Sequence, residues 1–243
     1  MTSISKFLTP VMAACFAITL FSCNNDGEKK NEKKSSDSTA VTNNATATPE
    51  FKPFKLIIVQ HKVANFGSWE AGYLSHDSMR LASGVHQYRL GRGLEDSNAV
   101  IVINKIDDVA KAKAFATSPD LKEAMKKSGV VGAPTVDFME VIRNDSSKID
   151  QQERVLVSHK VKDFAAWLKV YDEEGKAKRL ENGLMDRAVG RGVDDSNMVH
   201  IAFAITDMAK AKARMNSPEL KKLMTDAGVI GSPKIFMYRV VSK

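Results

Sequence analysis

The sequence of 243 residues is poor in cysteine and histidine. Its two cysteines, Cys15 and Cys23, both precede residue 24, so the rest of the chain can form neither a disulfide nor a cysteine-based metal site. The five histidines supply no metal-binding triad that recurs along the chain. The apolar run Phe7–Phe21 has about 15 residues and contains Pro10, whereas a membrane-spanning helix needs about 20.

Residues 1–22 have the features of a signal peptide, with Lys6 ahead of the apolar run. The run ends in Leu20-Phe21-Ser22-Cys23, which resembles the bacterial lipobox. The resemblance implies cleavage before Cys23 and acyl chains, palmitate among them, on its thiol and amine. We therefore expect a lipoprotein of the cell envelope, anchored to a bacterial membrane, with the outer membrane favoured. The alternative is an ordinary secretory signal with an incidental cysteine.

Residues 23–50 are predicted to be a flexible linker behind this anchor. Asn24–Glu50 has no aromatic residue and no apolar periodicity, so it cannot bury enough surface to fold. Its four lysines nearly balance five acidic residues, which favours a tether over a basic lipid-binding arm.

The remaining chain consists of two copies of one repeat. Gly91–Asn98 returns 99 residues later as Gly190–Asn197, and residues 91–143 and 190–242 agree at about 24 of 53 positions. The upstream halves match at an offset one residue shorter. We place the extra residue in a loop after the first helix, near Ser83–Gly84. The repeats are predicted at 51–145 and 146–243, as a pseudo-symmetric pair.

Each repeat shows the order β-α-β-β-α-β, which is the ferredoxin-like order of an α+β fold. A first helix is predicted from a cap at Asn65 to Gly84. A second helical region is capped by Asp107 or Asp108 and restarts at Ser118-Pro119. The predicted strands of the first repeat are Lys55–Val63, Val85–Gly93, Ala99–Ile106 and Thr135–Ile142.

The repeated motifs resemble the dimeric α/β-barrel superfamily, which includes antibiotic-biosynthesis-type monooxygenases and stress-responsive barrel proteins. The motifs are Val-x-His-Lys-Val-x-(Asn/Asp)-Phe-x-x-Trp, Gly-Arg-Gly, Asp-Ser-Asn and Ser-Pro-x-Leu-Lys-x-x-Met. The resemblance implies two four-stranded antiparallel sheets that face one another and enclose a cavity. Because one chain carries both units, we expect an intrachain α/β barrel and a monomer with pseudo-dimeric repeats. The likeness indicates fold more than activity.

His61 and His159 occupy the same strand position in the two repeats. If that face looks into the barrel, the two rings face one cavity and can serve as acid or base, or ligate a metal or haem iron. The alternative is a strand histidine that is hydrogen-bonded under a helix. Trp69 and Trp167 recur on the first helix, as core residues or as a substrate platform. No asparagine is matched in both repeats within the elements that would line a pocket.

Arg92 and Arg191 lie between glycines at the end of a strand. An arginine there can hold an anionic ligand in a bidentate manner. It can equally pair with Asp96 or Asp195 and fix the hairpin, which is the reading we favour.

The formal charge of +7 lies largely on lysine-rich helix faces, which are usually solvated. Nucleic acid is not an expected partner, because no binding motif is present. The leading hypothesis is an envelope lipoprotein whose barrel binds a small ligand or partner without catalysis, metal or cofactor. The alternative is a cofactor-free oxygenase or a haem-handling enzyme that uses His61 or His159. A third interpretation is a structural spacer.

Overall fold

The structure is a computed structural model, and it describes residues 51–242. The predicted signal peptide, Cys23 and the linker up to residue 50 lie outside the described residues. Within residues 51–242, no helix is both long enough and apolar enough to cross a membrane.

Each repeat folds in the predicted β-α-β-β-α-β order, with both helical regions divided in two. In the first repeat the elements are β1 Phe54–Val63, α1 Phe66–Ser75, α2 Asp77–Ala82, β2 Val85–Gly93, β3 Ala99–Ile106, α3 Val109–Thr117, α4 Pro119–Lys127 and β4 Val130–Asn144. In the second they are β5 Glu153–Val161, α5 Phe164–Glu174, α6 Lys176–Glu181, β6 Leu184–Gly192, β7 Met198–Ile205, α7 Met208–Met215, α8 Pro218–Asp226 and β8 Val229–Ser242.

The eight strands form one closed antiparallel barrel in the order β1-β3-β2-β8-β5-β7-β6-β4. Each repeat contributes four neighbouring strands. Two seams join the repeats, β2 to β8 and β4 to β6. The predicted intrachain barrel of two ferredoxin-like units is therefore confirmed.

Alternate residues of each strand face the barrel interior or the surrounding helices, as the strand period requires. One core cluster unites inward residues of both repeats, such as Ile58, Leu156 and Tyr238. The other clusters pack strand residues of a single repeat under its helices. The run Val100–Ile103 is buried throughout because its side chains fill both spaces. The fold thus contains an interior space and two separate spaces between sheet and helices.

The first glycine of each Gly-Arg-Gly motif admits a large side chain from the other repeat. A Cβ on Gly91 would lie 2.2 Å from Cδ2 of Tyr238, which is fully buried in the barrel. A Cβ on Gly190 would lie 2.3 Å from Cε of Met139. The repeated glycines therefore serve the packing across the two seams.

The predicted helix caps are present in both repeats. Asn65, Asp108 and Ser118 each accept a hydrogen bond from the backbone N–H three residues later, at 2.9, 2.7 and 3.2 Å. The second repeat uses the equivalent residues Asp163, Asp207 and Ser217.

The predicted single helix up to Gly84 is wrong, because the chain turns between α1 and α2 at His76. In the second repeat Gly175, with φ 79°, separates α5 from α6. The helices α2 and α6 already correspond at the offset of 99 residues, so the extra residue of the second repeat lies before α6, at Gly175, and not near Ser83–Gly84. The strand β4 begins at Val130, five residues before the predicted start at Thr135, and shifts its register against β1 on the way.

Candidate ligand pockets between the sheet and the helices

Each repeat contains a cavity between the outer face of its sheet and its helices. The cavity of the first repeat has a volume of about 90 Å³ and that of the second about 100 Å³. We call them the first and second pocket. The first is lined by, among others, Val59, His61, Trp69, Tyr73, Arg80 and Asn104, and the second by Val157, His159, Trp167, Tyr171, Arg179 and Phe203.

His61 and His159 belong to different pockets. The ring of His61 lies 5.2 Å from that of Trp69, and the ring of His159 lies 5.6 Å from that of Trp167. Both tryptophans are helical and buried. The histidines therefore face the helices, and the condition for one shared cavity inside the barrel is not met. The tryptophans are core residues and pocket walls at once.

Both histidine rings are buried without a hydrogen-bond partner. Nδ1 and Nε2 of His61, and likewise of His159, contact no donor or acceptor within the described part of the chain. Burial lowers the pKa of each ring from 6.5 to about 4, helped at His159 by the nearby His200. Each pocket therefore presents a neutral imidazole, with one donor and one acceptor, at neutral pH. The expected hydrogen bond under the helix is absent among the described residues.

The first pocket has a polar pair that the second lacks. Tyr73 stacks on Trp69 with 5.3 Å between ring centroids, and its hydroxyl donates to Oδ1 of Asn104 at 3.2 Å. Asn104 is buried, and Phe203 replaces it in the second repeat. The sequence search required an asparagine in both repeats and so missed Asn104. The available signal was a single amide directly after the apolar run Ala99–Ile103.

An arginine closes each pocket from α2 or α6. The guanidinium of Arg80 lies 3.8 Å from the ring centroid of Tyr73, and Arg179 lies 3.7 Å from that of Tyr171. Arg179 also makes a bidentate pair with Asp186 at 2.7 and 2.8 Å. Both arginines are buried, and Arg80 pairs with Asp77 at 2.9 Å as Arg179 does with Asp186. The repeated pair was not predicted, because the extra residue of the second repeat was placed after it in the sequence.

Arg92 and Arg191 lie outside both pockets. Arg92 donates from Nε to the backbone oxygen of Ser97. Arg191 pairs with Glu140 through Nη2 at 2.9 Å, across the seam between β6 and β4. Neither makes the predicted pair with Asp96 or Asp195, so that prediction is wrong.

Lysines from the neighbouring strand take those aspartates instead. Lys62 pairs with Asp96 and Lys160 with Asp195, each at 2.8 Å. These ion pairs, together with backbone hydrogen bonds, lower the pKa of both aspartates. The Lys of each His-Lys motif thus fixes the hairpin turn.

In residues 51–242, no group of three or more histidine, cysteine, aspartate and glutamate side chains is arranged to hold a metal ion. The pockets are apolar, with a few polar atoms at fixed positions. Such spaces suit small organic molecules.

The fold is an eight-stranded α/β barrel in which two ferredoxin-like repeats of one polypeptide take the places of the two chains of a dimeric α/β barrel. Solved structures of that superfamily cover 78% of this chain. An anthrone oxidase-like protein superposes with a TM-score of 0.52 over 92% of its own length, at 12% identity. A proposed monooxygenase from Lactobacillus acidophilus gives 0.50 over 94%, and a proposed chlorite dismutase gives 0.51 over 95%, both at 14% identity. No protein-family profile and no curated protein matches the chain. At these identities the likeness establishes the fold alone.

Proposed function

We propose that the folded domain binds a small, uncharged and largely apolar molecule in the pockets between sheet and helices. The observation that carries this proposal is the unpaired imidazole repeated at His61 and His159. A buried polar group without a partner costs about 1–3 kcal/mol, so two equivalent ones call for a ligand or water that satisfies them.

The chemistry of the pocket restricts the ligand. A neutral imidazole favours a hydroxyl or carbonyl group, and the Trp69–Tyr73 stack favours a flat ring. The volumes are below the roughly 300–1,000 Å³ typical of pockets for drug-sized ligands, so a single-ring phenol is the appropriate size class. A porphyrin does not fit a cavity of about 90 Å³ behind Trp69, and we assign haem no role.

The chain's two tryptophans make the test direct, because one lies in each pocket. The purified chain is titrated with phenol while tryptophan fluorescence is recorded. Trp69→Phe and Trp167→Phe each leave one reporter and so assign the signal to a pocket. We expect saturable quenching from each pocket, and at least tenfold weaker binding in the pocket whose histidine is changed to leucine. Quenching that is linear in phenol, or unchanged by both His61→Leu and His159→Leu, contradicts the proposal.

A second candidate function, cofactor-free oxygenation, concerns the first pocket alone. It is favoured by the hydrogen bond from Tyr73 to Asn104 beside His61, since these groups can orient a phenolic substrate and accept its proton. The names of the structural neighbours, an anthrone oxidase-like protein and a proposed monooxygenase, agree with this class of reaction.

Exchange of the distinguishing residue between repeats tests this candidate. Asn104→Phe gives the first pocket the residue of the second, and Phe203→Asn does the reverse. With 1,4-hydroquinone we expect oxygen uptake that Asn104→Phe removes and Phe203→Asn leaves intact or increases. Uptake at the rate of buffer alone, or equal uptake in both variants, refutes it.

We also propose that the domain is held at a bacterial envelope membrane by acyl chains on Cys23, and that it acts there as a monomer. The support for the anchor is the lipobox-like segment and the polar tract behind it, and the support for the monomer is the barrel that closes within one chain.

A further inference from the structure

The barrel interior contains a third cavity of about 40 Å³, separate from the two pockets. Equivalent positions of both repeats line it, and the two halves differ in charge. Leu56 of the first repeat corresponds to Arg154 of the second, and Tyr88 corresponds to Arg187. Arg89 of the first repeat corresponds to an alanine. The cavity is thus lined by three arginines, each of which lacks an arginine counterpart in the other repeat.

Two of these arginines are almost completely buried, with Arg154 4% and Arg187 7% exposed. Nη1 of Arg154 donates to the backbone oxygen of Glu153 at 2.9 Å, and Nη2 of Arg187 donates to that of Ser147 at 2.7 Å. Nε of Arg187 is buried without a partner among the described residues. Arg187 sits where β6 shifts its register against β7, a bulge that can re-aim a side chain inward.

The positive charge at this cavity is poorly balanced. Among the described residues, the one carboxylate that pairs with these arginines is that of Asp145, whose Oδ2 lies 3.5 Å from Nη1 of Arg187 and whose side chain is 45% exposed. Arg187 therefore has one partly exposed carboxylate partner, and Arg89 and Arg154 have no carboxylate partner within residues 51–242. Burial lowers the pKa of Arg154, Tyr238 opposes this shift, and the charges of Arg89 and Arg187 add to it. Backbone hydrogen bonds explain how the arginines are held, but they do not neutralise this charge.

A surface groove adjoins the cavity. It has a volume of about 460 Å³, and Asn144, Asp145, Arg187 and Ala188 line both the groove and the cavity. The cavity itself accommodates about three water-sized groups at roughly 10–15 Å³ each. A carboxylate group, with three heavy atoms, has that size, and the groove has room for the rest of a small organic acid.

We propose that the barrel interior is an anion site that binds the carboxylate of a small organic acid, entering from this groove, through Arg89, Arg154 and Arg187. Guanidinium groups bind carboxylates with charge-assisted and often bidentate hydrogen bonds. The cavity shares no lining residue with the pockets that hold His61 and His159.

The test measures thermal unfolding of the full chain in sodium acetate, in sodium phosphate and in sodium chloride, all at equal ionic strength and pH 7. We expect acetate to raise Tm by on the order of 5 °C near saturation relative to chloride, because the anion binds only the folded state. Absence of an acetate-specific shift overturns the proposal, and a larger shift with phosphate than with acetate overturns the carboxylate assignment.

The other repeat supplies the variants. Arg154→Leu, Arg187→Tyr and Arg89→Ala each introduce the equivalent residue, and each should weaken acetate binding at least tenfold. Arg191→Ala, on the same strand as Arg187 but outside the cavity, should keep the full response. Should Arg154→Leu or Arg187→Tyr fail to fold, Arg89→Ala still decides, with line broadening of ¹³C-acetate in NMR spectra as the measurement. Equal broadening in wild type and Arg89→Ala contradicts the site.

Discussion

Mild acid should destabilise this protein through its two pocket histidines. Each ring has a pKa of about 4 in the folded chain and about 6.5 when unfolded. Between these values the unfolded state binds more protons than the folded state, so stability rises with pH. The stability that the lowered pKa of the two histidines provides is complete above about pH 6.5 and is lost as the pH falls toward 4.

The size of the effect follows from the two pKa values. The full difference corresponds to about 3 kcal/mol for each histidine. At pH 5 about 2 kcal/mol of this is lost per ring, or about 4 kcal/mol for the pair, relative to pH 7.5. Aspartates with a lowered pKa, such as Asp96 and Asp195, lose their contribution to stability only below about pH 4. Their titration therefore does not overlap with the pH range in which the histidines act.

The assay is urea unfolding followed by circular dichroism at pH 7.5, 6.5, 5.5 and 5.0. The double variant His61→Leu/His159→Leu should lose about 4 kcal/mol less than wild type over this range. His200, whose pKa burial also lowers, is present in both proteins but interacts with His159. The single variant His61→Leu, which should lose about 2 kcal/mol less than wild type, is the control without this interaction. If both proteins lose the same free energy, or if NMR titration of either ring gives a pKa near 6.5, the rings are hydrated and the reasoning is refuted.

Three further outcomes are expected. In urea unfolding, Gly91→Ala should lower the free energy of unfolding by about 1–3 kcal/mol, because the added methyl group overpacks the barrel. The control Gly67→Ala, whose methyl group makes only ordinary contacts in α1, should be neutral or stabilise the protein by up to about 1 kcal/mol. Arg179→Met should cost about 3–5 kcal/mol because it leaves buried carboxylates unpaired, while the exposed Lys222→Ala should barely move the urea midpoint. Cys23→Ala should abolish incorporation of labelled palmitate and release the chain from membranes, and labelling that persists in this variant rules out the lipobox assignment.

Much of the fold can be predicted from the sequence because the chain contains two copies of the same repeat. The repeated caps at Asn65 and Asp163, and the Ser-Pro starts of α4 and α8, fix where helices begin. The alternation and apolar runs fix the strands. The turn between α1 and α2 could not be predicted, since nothing in the first repeat marks His76 as a break. In the second repeat the glycine at 175 does mark it.

The site was less predictable, because strand periodicity separates two faces without saying which one looks outward. His61 therefore had two possible environments, and only the packing of Trp69 against it decides between them. Asn104 and Arg154 were not predicted as site residues because the two repeats differ at these positions. Each of them has a different residue at the equivalent position of the other repeat, so a comparison that keeps only shared residues does not select them.

Covalent fusion of the two halves removes a constraint that an ordinary homodimer cannot escape. In a homodimer, any residue beside the symmetry axis appears with its own copy, so a single arginine at the position of Arg154 would bring a second identical charge into the same small space. Here the opposing position is Leu56, so Arg154 has no identical copy across the cavity. Gene duplication thus allows an unsymmetrical ligand to be bound at the centre of an otherwise symmetrical barrel.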